Sequence, residues 1–302
     1  MSINVLVTGG AGFLAINTAR FFNEKGAVVF GIGRSNENTD LSCYEKWVES
    51  AITYKSLLEF DVNFDIIVHC GGGSSVGYAQ ENPFEDFHKT VVGTAELLEF
   101  VRKHCVDAHV IYPSSPAVHG QQQNQPIDEL SEINPVSVYG YHKKMAEDLL
   151  LCSNKVYGIK VSIIRFYSIY GIGLRKQLLW DACVKIKNSN HAVFWGNGDE
   201  TRDWININDA VSLIHFLSSM HKPPLIVNGG SGIATTVRES VELLKNYLES
   251  SADLNFNGYL KPGDPKYYCA GQRVLKDLDW SPKVSVHQGF FDYVTWFIKN
   301  YD

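Results

Sequence analysis

A glycine-rich segment near the start of the chain constrains the fold most strongly. The apolar run at residues 3–7 is typical of a β-strand, and the segment TGGAGFLA at residues 8–15 follows it directly. Glycines at 9, 10 and 12 allow a tight turn from a strand into a helix, whose first backbone N–H groups can bind a phosphate. The same glycines are also compatible with a plain turn, because glycine adopts conformations that other residues avoid.

Strand and helix patterns alternate along most of the chain. The predicted strands are at 3–7, 27–32, 65–69, 109–112, 161–165 and 225–227. The predicted helices are at 12–25, 84–104, 137–157, 208–221, 177–189, 236–249 and 286–300. Most of the strands are apolar on both faces, which is typical of strands covered by helices on two sides. This pattern predicts an α/β fold with a doubly wound parallel sheet, in which ligands bind at the carboxyl ends of the strands.

The second half of the chain is less regular and predicts a smaller part of the structure. We expect one domain at 1–170, to which 205–228 also contribute, and a second domain mainly at 171–302 that forms a lid. Thr236 and Glu239 form a capping-box pattern at the start of one of its helices. The segment QQQNQ at 121–125 is expected to be a solvated polar loop.

Composition excludes several classes of partner. The net charge of −6 argues against nucleic acid and anionic membranes. No apolar run approaches the roughly 20 residues of a spanning helix. The six cysteines lie far apart without a Cys-x-x-Cys pair, so we expect thiols and no metal site. We expect a cytoplasmic chain without a signal peptide, because the first residues lead straight into a strand.

Three residues predict acid–base chemistry. Tyr139 and Lys143 are four residues apart in the helix at 137–157, so they share one face. A nearby ammonium favours the phenolate, and we therefore expect Lys143 to lower the pKa of Tyr139 towards neutrality, which suits proton transfer. Ser115 follows a strand and is expected to hydrogen-bond the same reacting oxygen. Taken singly, the Tyr–Lys pair is also typical of surface neighbours, and the serine of a turn.

Four motifs occur in order along the chain. They are TGGAGF (8–13), SSPAVHG (114–120), PVSVYG (135–140) with Lys143 and Glu147, and GNG (196–198) with RDW (202–204) and Asp209. Together they resemble the motifs of the extended short-chain dehydrogenase/reductase family, which contains nucleotide-sugar epimerases, dehydratases and reductases. The resemblance runs almost end to end and implies a Rossmann sheet with a smaller C-terminal substrate-binding lid.

The resemblance also implies residue roles. Ser115, Tyr139 and Lys143 would be catalytic: Tyr139 would act as acid/base, Ser115 would polarise a carbonyl, and Lys143 would hold the nicotinamide ribose. The cofactor-binding residues would be Gly9, Gly12, Phe13, Leu14, Arg34, Ser35, Gly71 and Lys143. The substrate-binding residues would be Ser75, Thr90, Ser168, Gln177, Arg202 and Arg273.

The implied ligand is a nucleotide-diphosphate sugar, and the implied assembly is a homodimer. Arg202 would pair with the substrate diphosphate, a bidentate task that suits a guanidinium. The alternative for Arg202 is a surface ion pair with Asp203.

Several positions depart from the family pattern. Ala15 replaces the third glycine of the turn, where a small packing residue is tolerated. Thr90 and Ser168 each stand where an asparagine is usual, and three glycines at 71–73 replace an alanine-rich loop. These changes surround the expected sugar and nicotinamide sites, so the substrate cannot be carried over from the family.

The residues after Ser115 bear on the reaction. A 4,6-dehydratase of the family carries an Asp-Glu pair there, whereas this chain has Pro116 and Ala117, which cannot move a proton. The sequence therefore argues against 4,6-dehydration. It leaves reduction of a 4-keto-6-deoxy sugar and 4-epimerisation, which both need only Ser, Tyr and Lys.

The expected cofactor decides between these two reactions at the sequence level. NAD-binding members place an acidic residue at the end of the second strand for the ribose 2′-hydroxyl. Here the strand ends in Gly33, Arg34 and Ser35, and a cation with a hydroxyl suits a 2′-phosphate. We therefore expect NADP, with NAD as the alternative, and a reductase. The segment at 173–179 and the RDW motif favour the alternative, an NAD-dependent 4-epimerase. A non-catalytic NAD(P)-binding sensor is a third possibility, although such proteins typically lose the tyrosine or lysine.

Overall fold

A computed structural model describes residues 2–122, 126–259 and 266–301 of the 302-residue chain. Part of the polar loop predicted at 121–125 therefore lies outside the described residues. The strands are β1 (Asn4–Thr8), β2 (Val28–Gly33), β3 (Lys46–Glu49), β4 (Ile66–His69), β5 (His109–Ser114), β6 (Lys160–Phe166), β7 (Ser168–Tyr170), β8 (His191–Phe194), β9 (Thr201–Asn206), β10 (Ile226–Gly229), β11 (Ala234–Thr236) and β12 (Asp253–Phe256).

The longer helices were predicted, whereas the short helices at Tyr54–Leu57, Val76–Glu81 and Arg273–Asp277 were not. The helices are α1 (Phe13–Glu24), α2 (Tyr54–Leu57), α3 (Val76–Glu81), α4 (Pro83–Phe87), α5 (Gly93–His104), α6 (Val138–Tyr157), α7 (Gln177–Asn188), α8 (Ile207–Ser218), α9 (Val237–Tyr247), α10 (Arg273–Asp277) and α11 (Val286–Asn300). The capping box predicted at Thr236 is confirmed: its hydroxyl accepts the N–H of Glu239, and the Glu239 carboxylate accepts the N–H of Thr236.

A seven-stranded sheet in the order β10-β6-β5-β4-β1-β2-β3 confirms the predicted doubly wound fold. The neighbouring strands from β6 to β3 pair in parallel. β1 lies in the middle of the sheet, where Thr8 is level with Ile32 of β2 and with His69 of β4. Parallel pairing brings the carboxyl ends of these strands to one edge, which is where such sheets bind ligands.

The helix predicted at 84–104 is interrupted, and this part of the prediction is wrong. A π-helical turn at His88–Val92 separates α4 from α5. The Thr94 hydroxyl donates to the Thr90 carbonyl at 2.5 Å and so competes with the regular backbone ladder. The Thr90 hydroxyl in turn accepts the N–H of Gly73 at 2.8 Å. The sequence does not reveal the π-helical turn, because the apolar periodicity of a helix continues across it.

The chain divides into two units. The first comprises Met1–Gly120, Glu132–Arg165 and Val211–Val227. Its core packs strand side chains such as Leu6, Ile67 and Val110 against helix residues such as Leu97 and Leu150, all fully buried. Burial on both faces of the sheet explains why these strands are continuous apolar runs in the sequence.

The second unit comprises Gln121–Ser131, Phe166–Ala210 and Asn228–Asp302. It contains a three-stranded sheet in the order β11-β9-β7 and a pair formed by β12 and β8. Tyr170, Trp204 and Phe290 pack edge to face in its core, with ring centroids 5.2–5.9 Å apart. In the part of the chain that the structure describes, no helix is long and apolar enough to cross a membrane.

Candidate active site

The glycine-rich turn joins β1 to α1 in the first unit. Gly9 has φ +61°, and a Cβ there would lie 2.8–2.9 Å from backbone atoms of Cys70 and Gly71. Gly10 donates to the carbonyl of Ile32, and Gly12 donates to that of Gly9. Gly9 is therefore a glycine for conformational and steric reasons that belong to the fold itself.

Gly12 is less constrained by the fold than Gly9. Its φ of −75° suits any residue. A Cβ would meet a single neighbour, the Gly9 carbonyl oxygen, at 3.2 Å. Gly12 is also the N-cap of α1, and among the described residues no side chain caps that helix start. The free N–H groups of this helix start, next to a turn of three glycines and one alanine, suit the binding of a dinucleotide pyrophosphate.

The residues that flank Gly12 lie where this arrangement needs them. Phe13 and Leu14 form the first turn of α1 and are half-buried. Ala15 is fully buried, as a packing contact requires. Gly71, at the end of β4, is buried and donates to the Thr8 hydroxyl at 3.2 Å.

Ser115 and Tyr139 are brought together by β5 and α6. Ser115 follows the last residue of β5, and its hydroxyl accepts the N–H of Ala117 at 3.2 Å, which starts a short 3-10 turn at Pro116–His119. Tyr139 is the second residue of α6, a helix that Ser137 caps. The Ser115 hydroxyl lies close enough to Tyr139 to lower the pKa of its phenol, against the effect of burial.

Lys143 is only 5% exposed and lies one helical turn after Tyr139. Its Nζ donates to the Pro113 carbonyl at 3.1 Å and lies 4.8 Å from the centroid of the Tyr112 ring. Its distance to the Tyr139 ring centroid is 5.8 Å. Burial lowers the pKa of Lys143 to about 8, against the attraction of nearby acidic groups.

The expectation that Lys143 lowers the pKa of Tyr139 is wrong for the ligand-free protein. Burial raises the Tyr139 pKa to about 12, and the hydrogen bond from Ser115 opposes that rise only partly. The Asp86 carboxylate raises this pKa further. The physical reason is that the cost of desolvating the phenolate is larger than any stabilisation by the Lys143 ammonium, which donates to the Pro113 carbonyl instead. Tyr139 is therefore a neutral phenol near pH 7 until a ligand changes its surroundings.

A buried polar network supports this catalytic set. The Arg165 guanidinium binds both oxygens of Glu147, at 2.8 and 3.1 Å. The Ser114 hydroxyl donates to the same carboxylate, at 2.5 Å. Arg165 also approaches His119 Nε2 at 3.0 Å, and His119 Nδ1 approaches the Glu132 carbonyl at 2.9 Å. Because arginine only donates, His119 carries its proton on Nδ1. The network ties β5, β6, α6 and the 3-10 turn together.

A second buried polar pair, which the sequence does not predict, joins α4 to α6. Asp86 of α4 is fully buried, and its Oδ2 lies 2.6 Å from His142 Nδ1. The two residues are 56 positions apart, and neither belongs to a motif, so no local signal in the sequence joins them.

The substrate-binding residues predicted in the first unit have different settings. Ser75 is exposed and caps α3 by accepting the N–H of Tyr78. Thr90 is 1% exposed, and its hydroxyl is engaged by Gly73. This burial suits Thr90 to holding the glycine loop at 71–73 rather than to the expected contact with substrate.

The predicted residues of the second unit lie at strand and helix ends. Ser168 begins β7 and is level with Trp204 of β9, two residues after Arg202. Gln177 begins α7 with a left-handed backbone, φ +67°, a conformation that carries strain and occurs frequently at functional sites. Arg273 is exposed at the start of α10.

The alternative for Arg202, a surface pair with Asp203, is wrong. Asp203 is fully buried. It accepts the backbone N–H groups of Ser231, Gly232 and Ala270 at 2.6–2.9 Å, together with the Ser231 hydroxyl. Asp203 therefore holds the second unit together, and Arg202 is half-buried and donates to the Thr201 carbonyl at 2.9 Å.

The residues predicted to bind a 2′-phosphate lie after β2. Arg34 is exposed. Ser35 has both of its donors on Glu49: its N–H lies 2.9 Å from Oε1, and its hydroxyl 2.5 Å from Oε2. Both hydrogen-bond donors of Ser35 are therefore already used by the Glu49 carboxylate, although the NADP prediction assigned Ser35 to a 2′-phosphate.

Comparison with known proteins gives the site a context. The family model described as NAD dependent epimerase/dehydratase family matches residues 5–230. A putative UDP-glucose 4-epimerase of Methanocaldococcus jannaschii is 28% identical over 98% of this chain and 99% of its own length.

Two solved structures share the fold. The NAD-dependent NDP-hexosamine 5,6-dehydratase TunA has a TM-score of 0.89 at 22% identity, covering 99% of each chain. The UDP-glucuronic acid 4-epimerase of Bacillus cereus, solved with UDP-glucuronic acid and NAD, has a TM-score of 0.88 at 21% identity, covering 99% of this chain and 100% of the other.

Gly12→Val should abolish dinucleotide binding, because the side chain would occupy the space through which the pyrophosphate approaches the backbone, while the far-UV circular dichroism stays native. Ala15→Gly is the matched control: it should bind dinucleotide normally and lose only about 1 kcal/mol of stability. A Gly12→Val protein that still binds dinucleotide would show that the glycine is only a turn former.

A second prediction concerns the stability cost of Lys143. Its pKa falls from 10.5 to about 8 on folding, so the buried ammonium destabilises the fold below pH 8. Lys143→Met should therefore raise the unfolding free energy of nucleotide-free protein at pH 7 by about 1–3 kcal/mol. Since the penalty fades as the amine loses its proton, this advantage should shrink between the folded value of about 8 and the unfolded value of 10.5. Thermal melts across that pH range measure the difference in stability between the two proteins. A Lys143→Met protein that is less stable than the wild type at pH 7 would contradict the prediction that the buried ammonium destabilises the fold.

Proposed function

Because the chain belongs to the NAD dependent epimerase/dehydratase family, we propose that it is a nucleotide-sugar 4-epimerase that uses NAD. One observation carries the proposal: Ser115 after β5 and Tyr139 and Lys143 on α6 form a complete set in the same unit as the uncapped glycine turn.

The epimerase is favoured over the 4-keto reductase that the sequence suggested first. That expectation depended on NADP, and the Glu49 carboxylate at Ser35 argues against a 2′-phosphate. The curated relative is named as a putative UDP-glucose 4-epimerase, and the 4-epimerase structure contains NAD with UDP-glucuronic acid. We therefore propose NAD as the cofactor and a UDP-hexose or a related sugar as the substrate.

Dehydration is disfavoured by the residues that follow Ser115. Pro116 and Ala117 are buried in the 3-10 turn and carry no group that transfers a proton. The 5,6-dehydratase TunA has the same fold, so the fold by itself does not separate the two reactions. Our proposal against 4,6-dehydration therefore depends on these two side chains. The non-catalytic sensor is disfavoured because the catalytic set is complete.

A dinucleotide held by Gly9, Gly12, Phe13, Leu14 and Lys143 would supply reversible hydride transfer at C4 of the sugar. In this proposal, Tyr139 first loses its own proton to solvent on substrate binding; the phenolate then takes the proton of the C4 hydroxyl while the hydride leaves and gives it back when the hydride returns. Ser115 donates to the same oxygen and holds it during the exchange. Lys143 supplies the positive charge that favours the Tyr139 phenolate, and it does so only while protonated, below its pKa of about 8.

The sugar nucleotide needs contacts beyond the reacting carbon. We propose that Arg202 binds its diphosphate. Ser75, Ser168, Gln177 and Arg273 are each proposed to contact the sugar nucleotide. Thr90 is proposed as a support for the glycine loop, because its hydroxyl is engaged by Gly73. The homodimer stays a prediction.

A product assay tests the proposed function. The purified protein is incubated with NAD and, in turn, with UDP-glucose, UDP-N-acetylglucosamine and UDP-glucuronic acid, and the C4 epimers are separated by chromatography. We expect one of these sugars to approach an equilibrium mixture with its C4 epimer without net change in nicotinamide absorbance. Stoichiometric consumption of NADPH with a 4-keto sugar would instead establish the reductase.

Two tyrosine variants separate chemistry from binding. Tyr139→Phe should lower kcat by roughly two to four orders of magnitude, the usual worth of a positioned acid/base, and leave the fold intact. Tyr141→Phe is the matched control: Tyr141 is two residues further along α6 and 52% exposed, so this variant should keep most of its activity. An inactive Tyr141→Phe beside an active Tyr139→Phe would overturn the catalytic assignment.

A further inference from the structure

The edge of the sheet beside the glycine turn holds a carboxylate that no motif identifies. β2 ends at Gly33, where an acidic residue would select NAD, and so lacks that residue. In the register of the parallel pair, Gly33 is level with Glu49, the last residue of the neighbouring strand β3. The acid missing from one strand end is therefore present at the adjacent strand end, on the same edge of the sheet.

Three donors fix the position of the Glu49 carboxylate. Ser35 supplies its N–H at 2.9 Å and its hydroxyl at 2.5 Å, and the indole Nε1 of Trp47 supplies a third bond at 2.8 Å. The bonds from Ser35 lower the pKa of Glu49, so it is ionised at neutral pH. Glu49 is exposed, so a ligand can reach it. A carboxylate has about four acceptor positions, so three donors leave it able to accept a further hydroxyl.

Packing explains why the acid lies on β3. A Cβ at Gly33 would lie 3.2 Å from the Trp47 ring and 3.2 Å from the Gly10 backbone nitrogen. The Trp47 indole therefore fills the space that an acidic side chain at Gly33 would need. The same indole donates to Glu49, so the residue that excludes an acid from β2 also holds one on β3.

We propose that Glu49 accepts the ribose 2′-hydroxyl of the adenosine half of NAD and makes the protein select NAD over NADP. A 2′-phosphate would meet a fixed negative charge, which like-charge repulsion disfavours. Ser35 is then a positioning residue that orients Glu49, and not a phosphate ligand. The inference depends on the proposed function in one respect, which is that a dinucleotide occupies the glycine turn.

The setting of Arg34 agrees with this assignment. Glu85 has its pKa lowered mainly by a hydrogen bond from Lys89, and the charge of Arg34 contributes to the same shift. Arg34 thus lies within the electrostatic reach of the Glu85 carboxylate, which weakens its attraction for a phosphate dianion.

The test compares the two dinucleotides on one variant. Glu49→Gln keeps the size of the side chain and removes its charge. In protein stripped of bound nucleotide, calorimetric titration should give wild-type binding that favours NAD. In Glu49→Gln the Kd for NAD should rise about tenfold, the worth of one charge-assisted hydrogen bond, and the Kd for NADP should fall. An unchanged ratio of the two Kd values in a folded variant would overturn the inference.

Matched variants keep the result interpretable. Glu45→Gln removes an equal charge from an exposed residue just before β3 and should leave the ratio unchanged. Ser35→Ala should shift the ratio in the same direction as Glu49→Gln but less, whereas a phosphate-binding serine would instead lose NADP affinity. If Glu49→Gln fails to fold, Glu49→Asp replaces it and should weaken NAD binding through the shorter reach.

The failure of this inference is distinguishable from failure of the proposed function. Titration uses no sugar, so a preference for NAD that Glu49 does not control overturns the inference and leaves the epimerase intact. A protein that binds neither dinucleotide overturns both. A protein that shows the Glu49 effect and yields no C4 epimer supports the inference and contradicts the proposed reaction.

Discussion

The catalytic arrangement depends on the buried ion pair between Glu147 and Arg165. Both side chains are at most 3% exposed, so each charge would be strongly unfavourable without the other. Through Ser114 the pair fixes the end of β5, and through Arg165 and His119 it fixes the 3-10 turn that follows Ser115. Since Glu147 belongs to the same helix as Tyr139 and Lys143, one interaction sets the positions of all three catalytic residues.

Burial also controls the protonation of the site. It raises the pKa of Tyr139 and lowers that of Lys143, so in the ligand-free protein both groups are shifted towards their neutral forms. The proposed acid–base role of Tyr139 therefore requires more than the charge of Lys143, which does not by itself make Tyr139 a phenolate near pH 7.

Most of the sheet was predictable from the sequence, because strands covered on both sides must be continuous apolar runs. β3 was missed, since it is a four-residue edge strand that shows no such run. The candidate catalytic residues were predicted from local spacing. Contacts between distant positions, such as Asp86 with His142 and Ser35 with Glu49, were not, because the folded chain alone brings them together. The sequence predicted NADP because it shows Gly33 at the end of β2 and does not show that Glu49 lies beside it on β3.

The central claim is that the hydride leaves C4 of the sugar and returns to the same carbon within one binding event. A UDP-hexose deuterated at C4 tests it most directly. Mass spectrometry of the C4 epimer should find the deuterium retained in the product, with none in the solvent or in free nicotinamide. Loss of the label from the epimer, or its appearance in added cofactor, would contradict the account.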